Sequence, residues 1–418
     1  MIGSLNIFKQ FTNLSKDQKG LFFIFFAALV PLSYKLISPF FIIAGLGEYT
    51  IIITPTLYVI GFLMASNIAK RSITVKDILF YLFLVTFFLL SPALYPSSLN
   101  FVEENAQKFL LNVVPFFFVG LCMSYDRDKD VLLLVARIGF WAQIFWQACL
   151  LLGFVEMGES FDDTLGEQME TAYGFLFSLF FLFHNAIKRR DICDLVMFII
   201  GTFLLLSMGA RGPIIVLAFY ILIYLIVFNT HKKKNVFKKL IVIIFCFLFY
   251  YFLTPIMFFL SFYAEQFGFS TRVFRSILED QMTNLSESSY RDEFYGNVWD
   301  AIRNDNTLLG YGFGSDRLFT PTGGYTHNLE LELLVSFGII GGGLILCILA
   351  FRFLKSLQHG GETKMFSFMM LCLGIVSLQF SYSYILFPSF FIYLGYNTAL
   401  LRTNAKELKA YVRELSQQ

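Results

Sequence analysis

Charge is what this chain has least of. Only 15% of its residues are Asp, Glu, Lys or Arg, against about 25% in ordinary soluble domains, and that excludes a soluble globular chain of the usual kind. Cysteine is sparse as well. Cys122, Cys149, Cys193, Cys246, Cys347 and Cys372 fall in or beside apolar runs, with no CxxC pairing. They read as packing residues, which excludes a disulfide framework and a structural zinc site. Also missing are a Walker loop, a nucleotide fold, a repeat of fixed period, and any His, Cys or carboxylate cluster at metal-ligand spacing. No metal and no cofactor are therefore expected. The net charge of +2 says little by itself, and no nucleic acid is expected as a partner.

Apolar sequence fills the space those absences leave. Hydrophobic residues make up 57% of the chain, 54 of them Phe, and the mean hydropathy is +0.66. Runs of about 17 to 25 apolar residues recur along the length, each able to cross roughly 30 Å of hydrocarbon as a helix. The expected fold is all-α, a polytopic membrane protein of about twelve transmembrane helices. The crossings are placed at 21–44, 49–68, 78–95, 106–124, 131–153, 171–187, 192–208, 213–229, 240–260, 327–351, 365–380 and 384–401. The first run can instead be a kinked pair around Pro31 and Pro39, and the last two a single helix broken around Ser381, Tyr382 and Pro388. Lys9, Lys16 and Lys19 precede the first run, which is too long for a signal-peptide core and lacks a small-residue cleavage site, so it is expected to stay as an anchor.

Cationic residues orient these crossings. Lys70, Arg71 and Lys76; Arg127 and Lys129; Lys188, Arg189 and Arg190; Lys232, Lys233, Lys234, Lys238 and Lys239; Arg352, Lys355 and Lys364; and Arg402, Lys406, Lys409 and Arg413 occupy alternate loops. The opposite loops are neutral or acidic. The positive-inside rule then puts both termini in the cytoplasm. Residues 1–260 carry nine crossings, 261–326 form a large outer loop, 327–401 carry the last three crossings and 402–418 a cytoplasmic tail. The outer loop is far longer than its neighbours, and loops of that length are usually functional or disordered. It is read as ordered because it holds aromatics, a helix and a glycine turn; its arginines include Arg272, Arg275, Arg291, Arg303 and Arg317, with no lysine.

Three places carry candidate chemistry. In "LSMGARGPIIVL", Gly209 can end one helix in a left-handed conformation and Pro213 can start the next. Arg211 is then pinned on a tight outer turn, either snorkelling to lipid phosphate or offering a fixed guanidinium fork to a phosphate-bearing substrate. In "ESSYRDEFYGNVWDAIRNDNTLLGYGFGS", Ser289 and Asp292 suit a capping box. Tyr295, Val298, Trp299 and Ile302 share one face of a helix that can lie along the interface with its aromatics down, with Arg291 on the same stripe at the helix start. "GYGFGS" reads as a turn letting Asp316 and the chain pass near a substrate. In "GYTHNLELELLVSFGIIGGG", helical spacing puts His327 and Glu330 on one face and Glu332 roughly opposite. A neutral imidazole at an outward-facing helix start can take a proton from a hydroxyl, with Glu330 orienting the ring, or it can simply be a surface histidine. "SFGIIGGG" is expected to serve close helix packing.

Taken in order, "GARGP", "YRDEFYGNVWDAI…LLGYGFGS", "HN" and "GIIG" resemble the O-antigen ligase and polymerase superfamily, with the specific motifs between residues 207 and 343. The resemblance implies a GT-C-like membrane glycosyltransferase that acts on undecaprenyl-pyrophosphate-linked oligosaccharide at the periplasmic face, without nucleotide sugar or metal. It implies that Arg211 and Arg291 hold the donor pyrophosphate and that His327 assists the acceptor hydroxyl or the departing phosphate. Asn328, Glu330, Tyr290 and Arg303 are further substrate-binding candidates. Membrane lipid and a chain-length regulator protein are the expected partners. Polymerase and ligase share these motifs; polymerase is preferred because polymerases are numerous and divergent outside this core. A transporter of the same lipid-linked sugars is the remaining alternative. Lys35, Lys108 and Arg137 within or at the edge of early spans would serve it, and the missing internal repeat counts against it.

Overall fold

The computed structural model describes residues 7–29, 53–151, 161–208, 210–228, 291–304, 308–320 and 324–416, with isolated positions 45, 258, 259 and 262. All regular structure among them is helical. Six of the described helices are long and apolar enough to cross a membrane: Val75–Leu94, Pro96–Cys122, Tyr125–Cys149, Arg211–Phe228, Leu329–Ser356 and Gly361–Gln379. Ile53–Met64 and Ile192–Ser207 are apolar but shorter. Much of the first expected crossing and all but two residues of that at 240–260 lie outside the described residues.

The chain clusters into two compact units. One comprises Met1–Asn13, Leu29–Val59 and Leu132–Ser289. Its described part is built on the helices Phe161–Arg189, Ile192–Ser207 and Arg211–Ile223, packed through aromatic rings. Phe180 stacks on Tyr220 with centroids 4.2 Å apart, and His184 Nδ1 lies 3.1 Å from the Tyr224 hydroxyl. Arg137 is buried here among carboxylates. Its guanidinium grips both oxygens of Asp194 at 2.8 and 3.0 Å and reaches Asp191 at 3.2 Å, as a desolvated charge must. Lys108, at the end of the Leu99–Lys108 helix in the other unit, is exposed, and Lys35 lies outside the described residues.

The second unit comprises Leu14–Ala28, Ile60–Val131 and Tyr290–Gln418. The Pro388–Ser416 helix runs against Phe116–Cys122, where Gly120 and Gly395 meet so closely that a Cβ on either would strike the other helix's backbone. Small residues at a crossing let helix backbones approach, the usual route to packing where no water drives association. At one end, Thr74 and Asp77 form a capping box that starts Val75–Leu94, and Arg402 pairs with the same Asp77 carboxylate through both terminal nitrogens.

The span expected at 327–351 is Leu329–Ser356, and it is broken. Gly338 sits at φ 71°, ψ 176°, a region open essentially to glycine alone. A break in a spanning helix strands carbonyls that lipid cannot satisfy. Here the chain from 308 to 312 supplies the partners: Tyr311 N donates to Val335 O and Gly312 N to Ser336 O, both at 2.9 Å, and Ile340 N donates to Leu308 O at 3.4 Å. The same strip is held on its other side by Tyr95, whose hydroxyl donates to Leu309 O at 3.0 Å, and by Ser97, whose hydroxyl donates to Tyr311 O at 2.9 Å. The expectation that "SFGIIGGG" serves helix packing is therefore corrected: Gly338 opens the helix so that the "GYGFG" strip can dock into it. The chain from 375 to 387 is also irregular, with short 3-10 turns at Val376–Gln379 and Tyr384–Leu386 around Tyr382 at φ 68°. It separates Gly361–Gly374 from Pro388–Ser416, as the Ser381–Tyr382–Pro388 sequence suggested.

Candidate functional site

The polar start of the Leu329–Ser356 helix carries the candidate site residues of the doorway sequence. Asn328 caps it, its side-chain oxygen accepting from Leu331 N at 2.9 Å. His327 precedes the cap and is not helical. Its φ is 52°, the left-handed region that a non-glycine residue enters at a cost of about 1–2 kcal/mol. The turn takes His327 off the helical face that spacing had assigned it. Its imidazole lies against the Tyr325 ring, centroids 4.1 Å apart.

Beneath this turn is Asp316, fully buried. Its Oδ2 accepts from Thr326 N at 2.9 Å and from the Thr326 hydroxyl at 3.4 Å, and its Oδ1 stands 3.5 Å from Arg317 Nη1. Arg317 lies over Phe101, 4.4 Å from the ring centroid, and over Tyr325 at 5.6 Å. Burial raises the Asp316 carboxyl above the usual carboxylate range, opposed by Arg317 and the Thr326 hydrogen bonds. The glycine loop brings Asp316 here, as its sequence suggested: Gly310, Gly312 and Gly314 all have positive φ, and Gly314 lies directly on the Phe101 ring, where a Cβ would not fit.

The two glutamates of the doorway differ in burial and in partners. Glu330 is exposed and accepts from Gln379 Nε2 at 3.0 Å. Glu332 is 1% exposed; it accepts from the Ser383 hydroxyl and, at 3.2 Å, from Tyr384 N, pinning the irregular 375–387 segment to the doorway helix. Sequence spacing pointed to Glu330 and passed over Glu332, whose partners lie some fifty residues further along the chain.

Arg291 is the first residue of the helix Arg291–Asn304, where a guanidinium opening the loop helix was expected. Tyr290, Ser289, Gly209, Arg272 and Arg275 lie outside the described residues. The Arg291–Asn304 helix buries Val298 and Ile302 against Val335 of the doorway helix, with Tyr311, Phe319, Leu331 and Leu334 packed around them. Trp299 is 45% exposed, so the residues this helix packs against the doorway helix are aliphatic. Arg303, near the end of this helix, lines an apolar groove of ≈ 390 Å³ with Trp299, Ile302, Leu308, Leu334 and Ile339. In the first unit, Arg211 is half-buried at the first position of its helix, after Ala210 in an extended conformation, and Pro213 is buried one turn in. Among the described residues no group of three or more His, Cys, Asp or Glu side chains is placed to hold a metal ion.

Residues 196–346 match the family described as O-antigen ligase. That interval contains Arg211, Arg291, the glycine strip, His327 and the helix break at Gly338, and it supports the resemblance to the O-antigen ligase and polymerase superfamily. No curated protein and no solved structure matches the chain.

Proposed function

We propose that this membrane protein, with its O-antigen ligase domain at 196–346, is a surface-polysaccharide polymerase. It would join oligosaccharide repeat units carried on undecaprenyl pyrophosphate at the outer face of the bacterial inner membrane. The observation that carries the reading is His327, held in a left-handed turn at the start of a membrane-length helix inside the family match. Non-glycine residues in such conformations cluster at ligand clamps and active sites, because only an over-determined surrounding keeps them there.

The reaction is a displacement at the anomeric carbon of the donor sugar. The acceptor hydroxyl oxygen forms the new glycosidic bond as the bond to the pyrophosphate oxygen breaks, inverting the anomeric centre. His327 takes the hydroxyl proton, and undecaprenyl pyrophosphate leaves. Arg211 and Arg291 are assigned to the pyrophosphate, where planar forks offset charge that grows in the transition state. Asn328 shapes the doorway by capping its helix. Glu330, Tyr290 and Arg303 are secondary contacts in this reading. The membrane lipid carrier is the substrate's anchor, and a chain-length regulator is the protein partner it would answer to.

A ligase, moving finished glycan to the lipid A core, is the second reading, favoured by the description of the family matched. A surface-glycan gel from cells lacking the gene separates the two. Core carrying a single repeat, with a ladder restored by the wild-type gene, supports the polymerase. Bare core with glycan stranded on the carrier lipid means ligase, and an unchanged ladder overturns both.

A further inference from the structure

His327 keeps an unfavourable backbone, so something must hold it, and the peptide just before it is fastened to one buried carboxylate. We propose that Asp316 is the positioning residue for His327, its two oxygens fixing the peptide and the ring separately. Oδ2 takes the Thr326 N–H at 2.9 Å and its hydroxyl at 3.4 Å, fastening the peptide just before the left-handed turn. Oδ1 stands 3.5 Å from the Arg317 guanidinium. That guanidinium is stacked on Phe101 and faces the Tyr325 ring, and Tyr325 is the ring against which the imidazole rests. On the far side of the turn, Asn328 is fixed by its own cap, and its carbonyl accepts from the Thr326 hydroxyl at 3.5 Å. A carboxylate with no exposed surface is a rigid post, whereas a water-facing one would let both arms swing.

The functional consequence rests on the catalytic reading of His327 above. Misplacing a catalytic group by about an ångström can slow the chemical step by up to about a hundredfold while leaving donor binding in place. Asp316 touches neither reacting atom in this scheme, so its loss is expected in kcat and not in KM.

The test uses the full-length protein in detergent with ¹³C-labelled histidine, since only four histidines contribute imidazole signals, together with turnover of an undecaprenyl-pyrophosphate-linked repeat unit. Asp316→Ala is expected to displace or broaden the His327 signal while those of His184, His231 and His359 stay. It should lower kcat by about tenfold or more with donor KM within about twofold. Asp316→Asn keeps a carbonyl oxygen for the Thr326 N–H but loses the charge facing Arg317, so it is expected to shift the His327 signal less than Ala does and to give a kcat between those of the Ala variant and wild type. An unmoved His327 signal in Asp316→Ala, or an Asn variant no better than Ala, overturns the proposal. Should the Ala variant not fold, the Asn variant alone decides: a displaced His327 signal upholds the proposal and a wild-type one refutes it. A His327→Ala protein with full turnover would sink the catalytic reading, yet the imidazole signal would still report whether Asp316 holds the ring.

Discussion

Glu332 and Ser383 are joined across the start of the doorway helix, the hydroxyl donating to a carboxylate that also accepts from Tyr384 N at 3.2 Å. The contact ties an irregular segment to the helix that carries His327's turn. Removing the carboxylate leaves a buried backbone N–H and a hydroxyl without their acceptor, at roughly 1–3 kcal/mol for each. Glu332→Ala is therefore expected to lower the thermal unfolding midpoint in detergent clearly. Glu330→Ala, at an exposed glutamate two positions earlier, should leave it nearly unchanged.

Gly338 gives a second prediction. An alanine there is forced into a backbone region open essentially to glycine, about 1–3 kcal/mol of strain, and its Cβ would strike the Leu308 carbonyl. The docked 308–312 strip would have to leave, exposing Val335 O and Ser336 O. Gly338→Ala should reduce folded yield and stability together. Gly343→Ala, where a Cβ meets nothing within 4 Å, is the control and should behave as wild type.

Asp316 predicts a pH dependence of stability. Burial raises its carboxyl above the ordinary value of 3.8, so the folded chain holds this proton more tightly than the unfolded chain does. The stabilisation from that proton is complete below about 3.8 and fades as pH climbs through the raised folded value. Relative to wild type, Asp316→Asn should therefore gain thermal stability as pH rises across that window. Unfolding midpoints of the two proteins, measured side by side from acid to neutral pH, check the sign. A difference that stays flat would contradict it.

The arginine assignments predict that charge without shape is insufficient. Arg291→Lys and Arg211→Lys keep a positive charge but lose the planar fork. Turnover at low donor concentration should fall by roughly tenfold or more in each. Full activity of either lysine variant would remove that residue from the clamp.

Much of the helical frame was legible because lipid imposes one simple rule, a long apolar run, and the helices Val75–Leu94 and Ile192–Ser207 fall close to where hydropathy put them. The break at Gly338 was not legible. Residues 333–349 read as uninterrupted apolar sequence, and the carbonyls freed by the break are paired by Tyr311 and Gly312, distant in the chain. His327 was visible as a rare histidine followed by a capping residue, but its left-handed turn was not. Spacing put Glu330 on the face of His327 and Glu332 roughly opposite, and gave no sign that Ser383 and Tyr384 meet Glu332. Asp316 was seen as a polar residue after glycines, and its partner Thr326 was not, since a carboxylate that receives a backbone N–H leaves no pattern in side-chain identity.

The central claim is that His327 takes the proton of the attacking hydroxyl. It is tested most directly by purified wild-type and His327→Ala proteins supplied with an undecaprenyl-pyrophosphate-linked repeat unit, measuring release of undecaprenyl pyrophosphate with time. The account predicts a fall of about a hundredfold or more in the alanine variant, with its unfolding midpoint near that of wild type. Release within about threefold of wild type would contradict it.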